Sequence, residues 1–397
     1  MKLTMKNAKK ALWAALLPVV LAGSLLVADD AAAQGKPPLK VGAYVSVTGA
    51  ASFLGSGEMK TLELYVDMLN KAGGVDGRRV ELFAYDDETD AARANTLVKR
   101  LLSNDQVHAI IGGSTTGATM SAVPLVERAG IPMLSLAGGS EIVEPIKKNV
   151  FKMNHTDLVA VTKLFEHMAS QGIKNVGIIA GTDAFGRGAL VASQKAAPKK
   201  GIKIVREEAF NPKDTDMTTQ LVKLRQEPGI QAILNLGFGE PAVMVARSYR
   251  QLGLTLPHYG THALASDSFI KLAGPAAENM IMTNGAILVS DQLAKEDPQG
   301  VVVREYVKAY KDKFGEAPSF FAGNAYDALM LIKNAVQTTG SVDPQKIREG
   351  IEKTSSYLGV TGAFRMSETD HVGLATDSLK MVRVKDGKWL LLPEGTR

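Results

Sequence analysis

The chain has 397 residues, of which 45% are hydrophobic and 22% charged, a composition typical of a soluble globular protein with more than one domain. It contains no cysteine, which excludes disulfide frameworks, cysteine nucleophiles, zinc fingers and thiolate-bound clusters. The formal net charge is +5, but basic residues occur only as isolated pairs such as Lys147-Lys148 and Lys199-Lys200, so we expect no nucleic-acid partner.

The first 33 residues have the pattern of a secretory signal peptide. Four lysines precede an uncharged apolar stretch from Ala11 to Ala28, and Ala31-Ala32-Ala33 supplies an Ala-x-Ala cleavage site. An uncleaved membrane anchor is the alternative, but the stretch is near the lower length limit for a membrane span and Pro18 interrupts it. We therefore predict that residues 1–33 are removed and that the mature protein lies outside the cytoplasm. The remaining chain has 42 basic and 39 acidic residues, so most of the basic excess disappears.

After this segment, the sequence alternates short apolar runs with amphipathic helical patterns. Runs with strand-like composition occur at 39–45, 80–85, 109–111, 132–136, 176–180, 202–209, 232–236 and 258–260. Apolar residues at helical spacing occur at 58–72, 91–102, 116–129, 157–171, 188–199, 217–225 and 241–252. Strands that alternate with helices of this length predict an α/β fold in which parallel sheets are covered by helices on both faces.

The last part of the chain has a different pattern. Amphipathic helices are predicted at 299–314, 320–338 and 344–353, and β-like runs follow at 360–365, 378–384 and 389–392. Asp386-Gly387 lies between the last two runs and predicts a hairpin turn. A faint internal repeat relates residues 101–113 to residues 224–237. Either all βα units look alike, or the chain has two lobes of one architecture.

Ligands of open α/β sheets bind beyond the carboxyl ends of the strands, so the turns at these ends are the candidate sites. The turn Gly112-Gly113-Ser114-Thr115-Thr116 combines glycines and hydroxyl groups with the start of a helix, which suits a carboxylate. The alternative is a helix N-cap without a ligand, the commonest role of Ser and Thr at such a position. The turn at 135–140 is similarly polar and rich in glycine, and two such turns could converge on one anion.

Sequence signatures of enzymes are absent. There is no Gly-x4-Gly-Lys-Ser/Thr phosphate loop, no Gly-x-Ser-x-Gly nucleophile elbow and no metal-ligand spacing among the six histidines. We interpret the cluster Asp86-Asp87-Glu88 as a solvated loop or helix start rather than a metal site. The sequence therefore predicts a protein that is not an enzyme and that needs no cofactor or metal.

Several short motifs together resemble the periplasmic substrate-binding proteins of branched-chain amino acid ABC transporters. They are Val41-Gly42, Thr48-Gly49, Leu69-Asn70-Lys71-Ala72-Gly73-Gly74-Val75, Ile110-Ile111-Gly112, the segment 124–132, the segment 183–188 and Ala325-Tyr326-Asp327-Ala328. No single motif is specific, but their order and spacing are, and the resemblance covers residues 40–391. It implies a type I periplasmic binding fold, with two similar Rossmann-like lobes joined by a three-segment hinge. The lobes would comprise residues 37–154 plus 284–357 and residues 155–283 plus 358–397.

The resemblance also implies a function and a set of site residues. Proteins of this family capture a small ligand between the lobes and deliver it to a membrane permease. The expected partners are therefore a small-molecule ligand and ABC permease subunits, and we expect a monomer. Ser114 matches the serine turn that binds the ligand carboxylate, and Ala137 matches a backbone contact. The full set of predicted ligand-binding residues is Phe53, Ser114, Thr115, Ala137, Gly138, Gly139, Phe185, Phe238 and His262.

Three of these positions depart from the family pattern. Gly139 stands where amino acid binders commonly have threonine, Phe185 where they often have tyrosine, and His262 near the acid that pairs with the ligand ammonium. A buried ammonium without that acid would cost about 3–5 kcal/mol. An aromatic or aliphatic carboxylate, or a small amide, therefore remains an alternative to a branched-chain or related amino acid, unless Glu240 or Asp267 replaces the acid. A periplasmic sensor of the same fold is a further alternative.

Overall fold

A computed structural model describes residues 36–393, so the predicted signal peptide at 1–33 lies outside the described residues. The strands are β1 (Leu39–Val45), β2 (Val80–Asp86), β3 (Ala109–Gly112), β4 (Met133–Ser135), β5 (Val150–Lys152), β6 (Asn175–Gly181), β7 (Lys203–Phe210), β8 (Ala232–Leu236), β9 (His258–Gly260), β10 (Ile281–Asn284), β11 (Tyr357–Leu358), β12 (Ala363–Phe364), β13 (Lys380–Lys385) and β14 (Lys388–Leu391). The α-helices are α1 (Ser52–Lys71), α2 (Ala91–Arg100), α3 (Thr116–Ala129), α4 (Asp157–Ser170), α5 (Ala184–Ala196), α6 (Thr218–Gln226), α7 (Gly239–Gln251), α8 (Asp267–Ala273), α9 (Pro298–Phe314), α10 (Phe320–Thr339) and α11 (Pro344–Glu352).

The first sheet has the strand order β2-β1-β3-β4-β5, and all its neighbouring strands are parallel. The carboxyl ends of its strands therefore lie at one edge, where Val45, Gly112 and Ser135 are the last strand residues. Helices α1, α9 and α10 contribute buried side chains to the core of this sheet.

The second sheet has the strand order β14-β13-β10-β9-β8-β6-β7. Its strands from β10 to β7 are parallel, whereas β13 is antiparallel to both β10 and β14. Asp386 and Gly387 join β13 to β14 with φ angles of 50° and 70°. Two consecutive residues with positive φ are what a two-residue hairpin requires, so the predicted turn is confirmed. The parallel sheets with covering helices also confirm the predicted α/β class.

The chain passes between the two sheets three times. It leaves the first sheet after β5, returns after β10 to form α9 and α10, and enters the second sheet again at β13. Val360, Phe364 and Leu374 belong to the core of the first sheet. The lobe boundaries remain a prediction, and this packing favours a last crossing between Leu374 and Lys380 rather than at residue 358.

Two helices begin earlier than the sequence pattern predicted: α1 at Ser52 rather than residue 58, and α5 at Ala184 rather than residue 188. Glycines in their first turns made these segments look like loops. The structure shows a different reason for the glycines, because each helix start packs directly on a strand end. A Cβ atom on Gly55 would lie 2.3 Å from the carbonyl oxygen of Ser46, and one on Gly186 would lie 2.1 Å from that of Gly181.

Some elements were not predicted at all. They are β5, β10, α8 and β11, each of which has two to seven residues, whereas β12 lies within the run predicted at 360–365. Such segments are too short to show an apolar period. Among residues 36–393, no helix has the length and apolar character needed to cross a membrane.

Candidate functional site

A small cavity lies where the strand carboxyl ends of the two sheets face each other. It is lined by Leu54, Ser114, Thr115, Thr116, Leu136, Gly138, Asn154, Phe185, Phe238, His262, Ala263 and Phe321. Residues 114–116, 136, 138 and 154 follow strands of the first sheet, and residues 185, 238 and 262–263 follow strands of the second. The cavity has a volume of about 30 Å³, enough for one or two water molecules, so the two sheets are close together in this conformation.

The structure brings six of the nine predicted site residues to this cavity. They are Ser114, Thr115, Gly138, Phe185, Phe238 and His262. Whether these residues contact a ligand remains a prediction.

The other three predicted residues are not among those that line the cavity. Phe53 lies beside it, with its ring centroid 6.5 Å from that of Phe238. The Ala137 N–H donates to the Ser135 hydroxyl at 3.3 Å, and the Gly139 N–H donates to the Thr116 hydroxyl at 3.2 Å. Both backbone groups are thus engaged within the protein.

Aromatic rings from both sides of the cavity form one of its walls. Phe185 and Phe238 make an edge-to-face contact with centroids 5.8 Å apart, and Phe185 lies 6.2 Å from the His262 ring. Phe321 contacts Phe53 edge-to-face at 6.1 Å. Such a wall favours a ligand with an apolar or aromatic body. Sequence reasoning missed Phe321 because it lies on α10, far from any strand-end turn.

The hydroxyl groups of the serine turn already have partners inside the protein. Thr115 is the N-cap of α3 and accepts from the Ala118 N–H at 3.3 Å, as the alternative N-cap interpretation expects. Ser114 has a different role: its oxygen accepts from the Ser46 N–H at 2.9 Å, and its hydroxyl is hydrogen-bonded to the carboxyl group of Glu58. An anion at this turn would therefore approach a serine that is already part of a buried network.

The network behind Ser114 contains two buried carboxyl groups. Burial raises the pKa of Glu58 to about 8, although the hydrogen bond from Ser114 lowers it, and the charge of Asp87 raises it further. Asp87 accepts from the Ser46 hydroxyl at 2.6 Å and from the Thr89 N–H at 2.9 Å. The interpretation of the acidic cluster as a solvated loop is therefore wrong for Asp87, which is buried because it ties the ends of β1 and β2 together.

A second cluster of buried polar side chains surrounds His262. Burial lowers the pKa of His262 to about 3, and the charge of Lys152 lowers it further, so this imidazole is neutral. Asp157 is buried, and within the described part of the chain its carboxylate oxygens make no hydrogen bond of good geometry. Burial raises the pKa of Asp157, and it lowers the pKa of Lys152, which donates to the carbonyl groups of Asn154 and His155.

Asp157 is the acid that sequence reasoning missed. Its Oδ1 lies 3.4 Å from the position that a Cβ atom on Gly138 would take, which places it next to the cavity. The two acids that the sequence suggested do not line this cavity: Glu240 is exposed in α7, and Asp267 accepts from the Trp389 indole N–H at 2.9 Å. Asp157 carried no signal in the sequence because it reads as an ordinary helix start.

Comparison with known proteins shows the same architecture. A sequence profile of the family described as periplasmic binding protein matches residues 38–388. The leucine-, isoleucine-, valine-, threonine- and alanine-binding protein of Pseudomonas aeruginosa is 24% identical over 332 residues, which cover 83% of this chain and 86% of that protein. An extracellular ligand-binding receptor from Rhodopseudomonas palustris HaA2 has a TM-score of 0.83 at 28% identity, covering 89% of this chain and 99% of that one.

A third similar protein was solved with a ligand. It is a solute-binding protein of an ABC transporter from R. palustris in complex with benzoate, with a TM-score of 0.77 at 21% identity, covering 89% of this chain and 95% of that one. The relatives are named as binding proteins and not as enzymes, in agreement with the expected non-enzymatic role. The two-sheet architecture and the profile match along residues 38–388 together show that the chain belongs to the periplasmic binding protein family.

Proposed function

We propose that this protein is the extracytoplasmic solute-binding component of an ABC importer, which captures a small carboxylate and delivers it to a membrane permease. The observation that carries the proposal is a cavity lined from both sheets, with Ser114 on one side and Phe185 on the other. A ligand that contacts both sides only when the sheets are close stabilises the closed arrangement by its own binding energy. Because the cavity of about 30 Å³ holds no more than water, the sheets must separate before a ligand enters.

The first candidate ligand is a branched-chain or related amino acid. The proteins named as Leu/Ile/Val-binding support this class, and Leu54, Leu136 and Phe238 offer apolar surface for such a side chain. The ligand carboxylate would lie at the serine turn. Its ammonium group would need an acidic partner, and Asp157 is the buried acid next to Gly138.

The second candidate is an aromatic or aliphatic carboxylate without an ammonium group, or a small amide. Two features of the cavity favour it: His262 is neutral, and aromatic rings form one wall. No ionised acid is among the residues that line the cavity. An ammonium group buried there without a partner would cost several kcal/mol, whereas a benzene ring would pack against Phe185 and Phe238.

Thermal unfolding of the purified protein with leucine, isoleucine, valine, benzoate and benzamide tests both candidates. A ligand at 100 times its dissociation constant adds about 2.7 kcal/mol to the free energy of unfolding, which is a clear rise in Tm. A rise with the amino acids supports the first candidate, and a rise with benzoate or benzamide alone supports the second. No rise with any of the five contradicts the proposed ligand class.

Transport and location need separate tests. If the protein serves an importer, deleting its gene abolishes uptake of the ligand that raises its Tm, whereas a sensor of the same fold leaves uptake intact. We also propose export through residues 1–33. N-terminal sequencing of the protein from the periplasmic fraction should begin at Gln34, and an N-terminus at Met1 would contradict cleavage.

A further inference from the structure

Behind the serine turn lies a buried carboxyl group that the proposed ligand contacts do not use. Glu58, in the second turn of α1, is buried, and one of its oxygens is hydrogen-bonded to the Ser114 hydroxyl. Its other oxygen has no hydrogen-bond partner among residues 36–393. Since Ser114 also lines the cavity, this carboxyl group is one hydrogen bond away from the place where we expect a ligand carboxylate.

The hydrogen-bonding capacity of Ser114 links the two carboxyl groups. A serine hydroxyl has one hydrogen to donate and two acceptor positions on its oxygen. The Ser46 N–H occupies one acceptor position at 2.9 Å. If Glu58 is ionised, the Ser114 hydrogen must point to Glu58, and only a lone pair faces the cavity. If Glu58 carries a proton, it can donate into the second acceptor position, and the Ser114 hydrogen is free to turn toward the cavity.

We propose that Glu58 is a positioning residue whose protonation decides whether Ser114 donates a hydrogen bond to a ligand carboxylate. The inference rests on the proposed function, and it identifies protonated Glu58 as the state in which the site accepts an anion. An ionised Glu58 opposes such a ligand twice, because it takes the Ser114 hydrogen and because two carboxylates repel each other in a buried site. An amide avoids both effects, since its NH₂ group can donate to the lone pair of Ser114.

The surroundings of Glu58 support a proton at neutral pH. Burial raises the pKa of Glu58 to about 8. Asp87, at the end of the neighbouring β2, acts on it through its negative charge and accepts from the same Ser46 that donates to Ser114. Tyr44, which packs against Gly113, faces Asp87. The other groups around the cavity include His262, His155, the pair Lys152 and Asp157, and the carboxylate of Glu141 that acts on this pair.

The test is the pH dependence of ligand affinity between pH 6 and 9, measured by calorimetry with leucine, benzoate and benzamide. We expect the dissociation constant of the carboxylate that binds to rise above pH 8 toward about tenfold per pH unit, because binding then requires proton uptake. In Glu58→Gln, the amide donates to Ser114 at every pH, so affinity at pH 9 should be about tenfold higher than in wild type. Glu63→Gln, at an exposed position of the same helix, should behave as wild type.

The readout is the difference in the pH dependence of the dissociation constant between wild type and Glu58→Gln. This comparison is needed because burial also shifts the pKa values of Lys152 and Asp157, which contribute equally to both proteins. If Glu58→Gln keeps the wild-type pH slope, or if benzamide shows the same slope as the carboxylate, the inference is wrong although the proposed function stands. If none of the five ligands of the thermal screen binds wild type, the proposed ligand class fails and the inference fails with it. The Tm without ligand verifies that Glu58→Gln is folded. Ser114→Ala provides a second variant, in which the pH slope should become shallower than in wild type, because the repulsion between the two carboxylates remains but the choice of hydrogen-bond direction at Ser114 is gone.

Discussion

Gly138 and His262 approach each other across the cavity so closely that a Cβ atom on Gly138 would lie 2.9 Å from the His262 Nε2. Gly138 follows β4 of the first sheet, and His262 follows β9 of the second. The same Cβ position lies 3.3 Å from the Phe185 ring. A methyl group there has no room while the two sheets are close, because the atoms around it are already in contact.

Gly138→Ala should therefore weaken ligand binding without destabilising the separated arrangement. Overpacking of about 1–3 kcal/mol in the closed state corresponds to a loss of affinity of about 5- to 150-fold. Calorimetric titration with the ligand found in the thermal screen measures this loss. Gly117→Ala is the matched control, because no atom of the described residues lies within 4 Å of its Cβ position. Wild-type affinity in Gly138→Ala would show that the ligand-bound state does not use this contact.

Phe238→Ala should also reduce affinity, for a different reason. The ring contacts Phe53 and Phe185 and lines the cavity, so its truncation removes apolar surface that the ligand would cover. We expect a loss of about 10- to 100-fold by calorimetry. The control is Phe83→Ala, a half-buried ring in β2 that is not among the cavity residues. Equal affinity losses in both variants would argue against a direct contact between Phe238 and the ligand.

Asp327 in α10 should affect stability rather than ligand binding. Its carboxylate accepts from the Val360 N–H at 2.9 Å, and from the Thr361 N–H and hydroxyl at 2.9 Å and 2.5 Å. Asp327→Asn turns an NH₂ group toward these donors, so the free energy of unfolding should fall by about 3 kcal/mol, with unchanged ligand affinity. Chemical denaturation measures the fall. Asp312→Asn, an exposed partner of Lys308, should change it by less than about 1 kcal/mol; an equally small change in Asp327→Asn would contradict this role.

Buried histidines should make the fold sensitive to mild acid. Burial lowers the pKa of His258 to about 3, so this imidazole takes up a proton in the unfolded chain near pH 6.5 but not in the folded protein. Acid therefore favours the unfolded state, and stability falls as pH decreases from about 6.5 toward 3. His258→Phe keeps a ring against Tyr249, whose centroid lies 4.4 Å away, and removes this proton uptake.

Chemical denaturation at pH 7 and pH 5 compares the two proteins. Wild type should lose up to about 2 kcal/mol more than His258→Phe between these values, since each pH unit is worth about 1.4 kcal/mol per proton. His262 and His155, whose pKa values burial also lowers, should leave His258→Phe with some remaining acid sensitivity. An identical loss in both proteins would show that His258 takes up its proton without unfolding.

Much of the site could be predicted from the sequence, because ligands of parallel sheets bind at the turns that follow the strands. Parallel strands end at one edge of a sheet, so the turns after β3 and β4 were expected to converge, and the resemblance implied that Phe185, Phe238 and His262 lie opposite them. Residues from the turns after β3, β4, β6, β8 and β9 do line the cavity. Leu54 and Phe321 escaped this reasoning, since they lie inside helices whose orientation the sequence does not specify. Ala137 and Gly139 were expected to contact a ligand, but their N–H groups donate to Ser135 and Thr116.

By itself, the sequence determined the α/β class, the hairpin at Asp386-Gly387 and the position of the serine turn, because hydrophobic period and turn chemistry are local properties. The tertiary structure alone decided which polar groups are buried together. Glu58 lies in a helical pattern 56 residues before Ser114, and nothing local distinguishes it from the exposed Glu63. Its raised pKa and its control over Ser114 arise from desolvation and from neighbours that only the folded chain brings into contact.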